Sequence, residues 1–289
     1  MQDKDAIIAR QDTIIARLTQ QVETLLKRIA QLEDEIARLK NDSNNSYKPP
    51  SSDIVKPRQS VRKTARKKKK RPNYSLFRID QSRGSQVLFE MLGQEYEGII
   101  GCDFWGAYRK FARLTNATVQ YCMAHLIREI RFVAEHTNKS LARWGNQLLA
   151  WLRKLFKTLH RSDAWTDAGF AKRMNRIKKD FLSRMRRAPS HKLAKNLARR
   201  FKGRAAETYF RFLTDPAVEP TNNGTEREIR HSVIDRRITQ GTRGDAGMRW
   251  CERIWTTIAT CKKQNRNVFK FLHNSLLADW TGKGHPLLL

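Results

Sequence analysis

The sequence predicts an α/β protein: a small strand core that carries a large helical insertion and follows an N-terminal coiled-coil helix. Three observations carry this expectation. The first 40 residues hold an unbroken heptad pattern. Glu97-Gly98-Ile99-Ile100-Gly101-Cys102-Asp103 is a short apolar run bounded by glycine and ending in a carboxylate, the pattern of a buried strand leaving a core. From Ala124 to Arg204 the apolar spacing is helical almost throughout, with Leu149, Leu152, Leu155, Phe156 and Leu159 on one face.

Composition narrows the partners. A chain of 289 residues has room for one or two domains with a sizeable core. Its formal net charge is +30, and the sequence pI is about 10.6. Such an excess repels itself unless a polyanion neutralises it, so nucleic acid is the expected partner. No basic amphipathic helix with bulky apolar residues opposite stands out, which argues against a membrane surface. The start, Met1-Gln2-Asp3-Lys4-Asp5, is charged, so no signal peptide is expected, and no run reaches the length of a membrane span. Cys102, Cys122, Cys251 and Cys261 are scattered, which suits buried free thiols in the cytoplasm rather than a zinc site.

Residues 1–41 read as a leucine zipper. Ile8, Ile15, Val22, Ile29 and Ile36 occupy a positions; Gln11, Leu18, Leu25, Leu32 and Leu39 occupy d. β-branched residues at a with Leu at d favour a parallel dimer, and Arg28–Glu33 and Glu35–Lys40 place opposite charges at g and e. The alternative is an amphipathic helix packed on its own domain. Residues 42–73 form a linker rich in Pro and Ser, then in Lys and Arg. From Lys56 to Arg71 there are ten basic residues and no acid. Lys63, Arg66, Lys67, Lys68, Lys69, Lys70 and Arg71 form an arm suited to phosphate without base specificity.

Residues 74–289 read as the core. Tyr74 to Ile79 is expected to be a strand, Val87 to Leu92 a short helix, and Ile99 to Cys102 the strand that delivers Asp103. Asp103 at that strand end is a candidate ligand-binding carboxylate, or else a plain N-cap for the next helix. A basic helical insertion, about 126–215, follows; between Leu141 and Arg204 it has nineteen Lys or Arg against three acids. Thr225 and Glu228 form a capping-box pattern, which places Glu226 in the first turn of a helix. Two more helices are expected, one with Met248, Cys251, Ile254, Trp255, Ile258 and Cys261 on a face, and one from Val268 to Trp280.

Several motifs resemble one family. Gly101-Cys102-Asp103 through Tyr108 resembles the S-D-x-y-x-A-Y segment of transposases of the insertion sequence 66 family. Cys122-Met123-Ala124-His125-Leu126-Ile127-Arg128 is similar to their C-w-A-H-x-x-R, and Asn222-Asn223-Gly224-Thr225-Glu226-Arg227 with Arg230 to their N-N-x-x-E-R-x-x-R. Thr260-Cys261-Lys262 before Asn265 to Asn267 resembles T-C-r-x-x-g-x-N, and Asn45 to Asp53 resembles N-S-S-K-P-P-S-S-D. The resemblance implies a DDE transposase with a ribonuclease-H-like core, acting in DNA transposition and recombination. It implies Asp103 as the second Asp and Glu226 as the Glu, both catalytic and both ligands of Mg²⁺. His125 and Arg128 lie near the site on this reading, although His125 equally suits a packed core position. Arg227 and Arg230 join the DNA-binding residues. The implied partners are DNA at the element's ends, a second copy through the zipper, and accessory proteins of the element.

The chain departs from the family pattern between zipper and core. It has no cysteine-rich segment and no D-E-T motif to supply the first Asp; Asp53 and Asp80 are the only nearby acids, and neither matches. The expected core is therefore incomplete, with Ile99 and Ile100 short of ladder partners at about 1–3 kcal/mol for each buried group. Three functions remain open: an active transposase with an unorthodox third carboxylate, a catalytically silent dimerising nucleic-acid-binding relative or regulator of transposition, and a remnant without a stable core.

Overall fold

The computed structural model describes residues 2–40 and 74–288. The linker, with Asp53, Lys63, Arg66, Lys67, Lys68, Lys69, Lys70 and Arg71, lies outside the described residues. The rest is mostly helical, with one two-stranded parallel sheet.

Helix α1 runs over Gln2–Lys40, as the heptads predict. Its seam from Ile15 to Leu32 faces solvent, from 42% exposed at Leu32 to 61% at Leu25. Contact with the body is made by the opposite side: Asp34 receives a 2.8 Å hydrogen bond from His136 Nε2, and Glu33 accepts one of 3.1 Å from Thr137. The apolar stripe is thus not spent on the chain's own core. Asp34, His136 and His191 lie close enough to suit a cation, with one ligand atom of each within 4.8 Å of the others. Yet both rings already accept backbone N–H bonds at Nδ1, from Asn138 at 2.9 Å and Leu193 at 3.3 Å. That leaves the proton of each neutral ring on Nε2, where a metal would bind. The cluster is a hydrogen-bonded clasp.

The body begins with an extended segment, followed by α2 (Gln86–Leu92), β1 (Ile99–Cys102), α3 (Gly106–Leu114) and β2 (Thr118–Tyr121). Strands β1 and β2 pair in parallel, Ile99 opposite Thr118 and Cys102 opposite Tyr121, with α3 as the crossover. Next come α4 (Met123–Ala134), α5 (Lys139–Leu159), α6 (Asp167–Arg186), α7 (Lys192–Arg199) and the short α8 (Glu207–Phe210). The chain closes with α9 (Asn223–Thr239), α10 (Asp245–Lys263) and α11 (Val268–Thr281).

The core sits between the sheet and α4 to α8. Ile127, Ile130, Leu148, Leu152, Phe181 and Phe210 are among its fully buried side chains. Leu149, Leu155 and Phe156 are buried as the helical spacing predicts, and Leu159 packs at the margin. Helices α4 and α5 approach closely at Gly145, where a Cβ would lie 2.6 Å from the backbone nitrogen of Ala134. Buried Gln120 on β2 is fully paired: its Nε2 donates to the carbonyls of Tyr121 and Tyr209, and its Oε1 accepts from Phe212 N–H. Those bonds fasten α8 to the sheet.

Two expectations need correction here. Tyr74 to Ile79 is extended but pairs with no strand among the described residues. It lies antiparallel along α10 instead. Ser75 N–H donates to Thr260 Oγ1 at 3.1 Å, Phe77 N–H to Thr256 Oγ1 at 3.0 Å, and Ile79 N–H to Glu252 Oε1 at 2.6 Å. Two extended residues span about 6.7 Å and four helical residues about 6 Å, so alternate N–H groups meet successive helical turns. Second, the outer edge of β1 is not buried: Ile99 and Gly101 are exposed, so water can serve their backbone groups and the expected burial penalty does not arise. The described residues form one strand–helix–strand unit, β1-α3-β2, in a mostly helical body, and the expected ribonuclease-H-like core is not seen among them.

Thr260 is fully buried, and its hydroxyl both accepts from Ser75 N–H and donates to Ser75 C=O. Thr260→Val keeps the shape and orphans both groups, so it should lower stability by about 1–3 kcal/mol in urea melts. Thr239→Val, whose hydroxyl is exposed and bonds Asp235 C=O, should change it little.

Candidate active site

Parallel strands release their next residues at one edge of a sheet, where open α/β folds hold ligands. Here β1 releases Asp103 and β2 releases Cys122, whose N–H donates to Cys102 C=O at 2.7 Å. Asp103 is half-buried, and its Oδ1 accepts from Trp105 N–H at 3.1 Å, tightening the turn into α3. The N-cap position of α3 belongs to Trp105. Trp105 is exposed beside the carboxylate, with the Arg83 guanidinium 5.1 Å from its ring centroid.

The chain returns to this edge a hundred residues later. Met123 N–H donates to Pro220 C=O at 2.9 Å, and Asn222 N–H to Cys122 Sγ at 3.4 Å. Helix α9 starts immediately, at Asn223, so Glu226 falls in its first turn as expected. The capping box does not form. Asn222 holds the cap position, and Glu228 turns to Ser75 and, at 3.1 Å, to Lys263. Glu226 faces α4: its carboxylate lies 3.4 Å from His125 Nε2 and 3.5 Å from the Arg128 guanidinium. His125 and Arg128 sit three residues apart on α4, hence on one face.

The electrostatics tie the two strand ends together. Burial, and then Arg128, push the His125 pKa below its ordinary 6.5, while Glu226 and Asp103 oppose them. Glu129 adds to the same opposing field, and the imidazole stays neutral at pH 7. Burial also raises the Cys122 thiol, so it is protonated and a poor metal ligand, although one ligand atom each of Cys122, His125 and Glu226 lies within 4.8 Å of the others.

The oxygens of the site offer a better fit to a cation. Glu226 Oε1, Asn222 Oδ1 and Asn223 Oδ1 are buried without hydrogen-bond partners. Carboxylate and amide oxygens are the donor type hard divalent ions take. Arg227 and Arg230 are exposed on α9. Asp80 plays no part here: its Oδ1 accepts from Ser82 N–H at 2.8 Å, and its carboxylate lies 3.9 Å from Arg78. Cys122, Asn222 and Asn223 stand in the motifs quoted above, but those motifs gave them no ligand role. Their positions either side of Glu226 in the fold depend on the long-range return of the chain.

The fold and site thus define a basic, mostly helical protein with Asp103 at the end of one of two parallel strands and Glu226 set against His125 and Arg128. A family model described as "Transposase IS66 family" matches residues 53–250, more than half of the chain, and the chain belongs to that family. A second model, a family of unknown function (DUF6444), matches residues 3–75. No curated protein and no solved structure matches the chain.

Because the folded state lowers the His125 pKa, the unfolded chain takes up that proton first. The stability His125 contributes should be fully present above pH 6.5 and fall as pH drops below it. Denaturant midpoints of His125→Gln should show a shallower loss over this window than the parent chain.

Proposed function

We propose that this chain is a DNA-binding transposase relative of an insertion sequence that holds element ends but does not cut them alone. Asp103 and Glu226 are its catalytic-type carboxylates. The observation that supports the reading is that Glu226 lies 3.4 Å from His125 and Asp103 acts on the same ring from the end of β1, whereas Glu129, the other carboxylate acting on it, is already paired with Arg200. Mg²⁺ is the cation this reading takes, with Asp103, Glu226 and the Asn222 and Asn223 oxygens as ligands. When bound, it would supply the Lewis acidity that DDE chemistry requires at a scissile phosphate. The chain's own residues do the rest: Arg128 holds the Glu226 carboxylate in place, and neutral His125 keeps an unpartnered Nδ1 in the pocket.

The DNA surface in this reading comprises Lys63, Arg66, Lys67, Lys68, Lys69, Lys70 and Arg71 of the arm, Arg227 and Arg230 beside the site, and the basic helical insertion. A charge of +30 supports it. Exposed Trp105 adds a stacking surface for an unpaired base beside Asp103. The chain acts as a parallel dimer through α1, supported by a seam left open while the polar side docks on the body. Accessory proteins of the element and a cytoplasmic site of action belong to the same reading; no described helix is long and apolar enough to cross a membrane. The well-packed core speaks against a remnant that cannot fold. A second reading, a non-catalytic dimerising regulator of transposition, draws on the missing D-E-T motif.

With Mg²⁺ or Mn²⁺, the purified protein should shift a fragment bearing the element's ends at low salt and leave it uncut. Cleavage that vanishes in Asp103→Ala and Glu226→Ala would instead establish a complete site. Loss of the shift itself would remove both readings.

A further inference from the structure

Helix α11 carries a stripe that nothing covers among the described residues. Phe269, Leu276 and Trp280 are 79%, 64% and 85% exposed, and His273 between them is exposed as well. They recur at intervals of four, three and four, the spacing of a coiled-coil seam. The other side of the helix is already used: Ala278 is buried, and α11 packs on α10. The undescribed residues 41–73 are a poor cover, since their sizeable apolar side chains are only Tyr47, Ile54, Val55 and Val61 amid a strongly basic run. The stripe also lies beyond residue 250, where the family match ends.

We propose that α11 is a self-association surface that pairs antiparallel with α11 of a second copy about a two-fold axis. A two-fold interface must be self-complementary, and this sequence is. Centring the pair between Asn274 and Ser275 sets Phe269 against Trp280 and His273 against Leu276. The same register brings Lys270 level with Asp279. These are the only charged residues of the helix, which is therefore neutral overall in a chain of +30. Two copies can meet here without the repulsion their other surfaces would impose, whereas DNA would find no charge to bind. A buried aromatic side chain removes about 150–250 Å² from water. Two aromatics and a leucine per copy then give roughly 1,000 Å² in all, the lower bound for a specific interface. The surface shares with the function proposed above only the idea that copies associate, and it stands or falls separately.

The test uses the full chain and sedimentation equilibrium, with three variants: L18D/L25D in the zipper seam, F269S/W280S in α11, and all four changes together. All four positions are exposed, so thermal melts should stay close to the parent. L18D/L25D should still reach twice the monomer mass, and the fourfold variant should fall to the monomer. A monomeric L18D/L25D chain would overturn the proposal, as would a fourfold variant that remains dimeric. If F269S/W280S alone is monomeric, the zipper reading fails and the α11 surface stands.

Discussion

The junction at the end of β2 sets the rest of the structure. Cys122 and Met123 leave the sheet to start the helical insertion, and Pro220 and Asn222 bring the chain back to the same two residues through two hydrogen bonds. Everything between them can be long, basic and helical without disturbing the pocket, because its two ends are fixed at one point. Gln120, two residues earlier on β2, reinforces the closure by holding the Tyr209 and Phe212 backbone. A buried amide with every partner satisfied makes that arrangement specific, since any shift would orphan polar groups in the core. Glu226 reaches α4 only as a consequence.

The short sheet imposes a second constraint. Two parallel strands bury little, and among the described residues the outer edge of β1 is free. The protein does not cover that edge with the 74–79 segment. That segment lies on α10, where Thr260, Thr256 and Glu252 offer oxygen acceptors at a spacing of four. A helix presenting Thr and Glu on a half-buried face can thus substitute for a neighbouring strand along one side of an extended chain. Glu228 and Lys263 add to the same joint, which links α9, α10 and the start of the body.

The two long helices that bear exposed seams share a logic. Helix α1 docks by its polar side at Asp34, and α11 docks by Ala278. In both, the apolar stripe is left outward. Burial of apolar area is the main stabilising term in association, so an outward apolar stripe is the surface on which a second chain would gain most.

The sequence by itself determined the elements whose signals are local. Heptads placed α1 to within a residue of its observed span, helical spacing placed the insertion, and a glycine-bounded apolar run placed β1 and left Asp103 at its end. Glu226 was legible in a first turn from the Thr225 and Glu228 pattern, although the cap falls three residues earlier, at Asn222. The tertiary structure alone decided what these residues meet. A strand-like segment at Tyr74 to Ile79 cannot reveal whether its N–H groups will find a strand or the Thr260, Thr256 and Glu252 oxygens of a helix. Thr225 and Glu228 satisfied a capping pattern, yet Glu228 found stronger partners in Ser75 and Lys263, far away in sequence. Local propensities are worth a few tenths to one kcal/mol, and a long-range charge-assisted bond outweighs them. For the same reason the shared field of Asp103 and Glu226 on His125 arises only from the fold: Coulomb interaction depends on separation in space, and 123 residues of sequence say nothing about that separation.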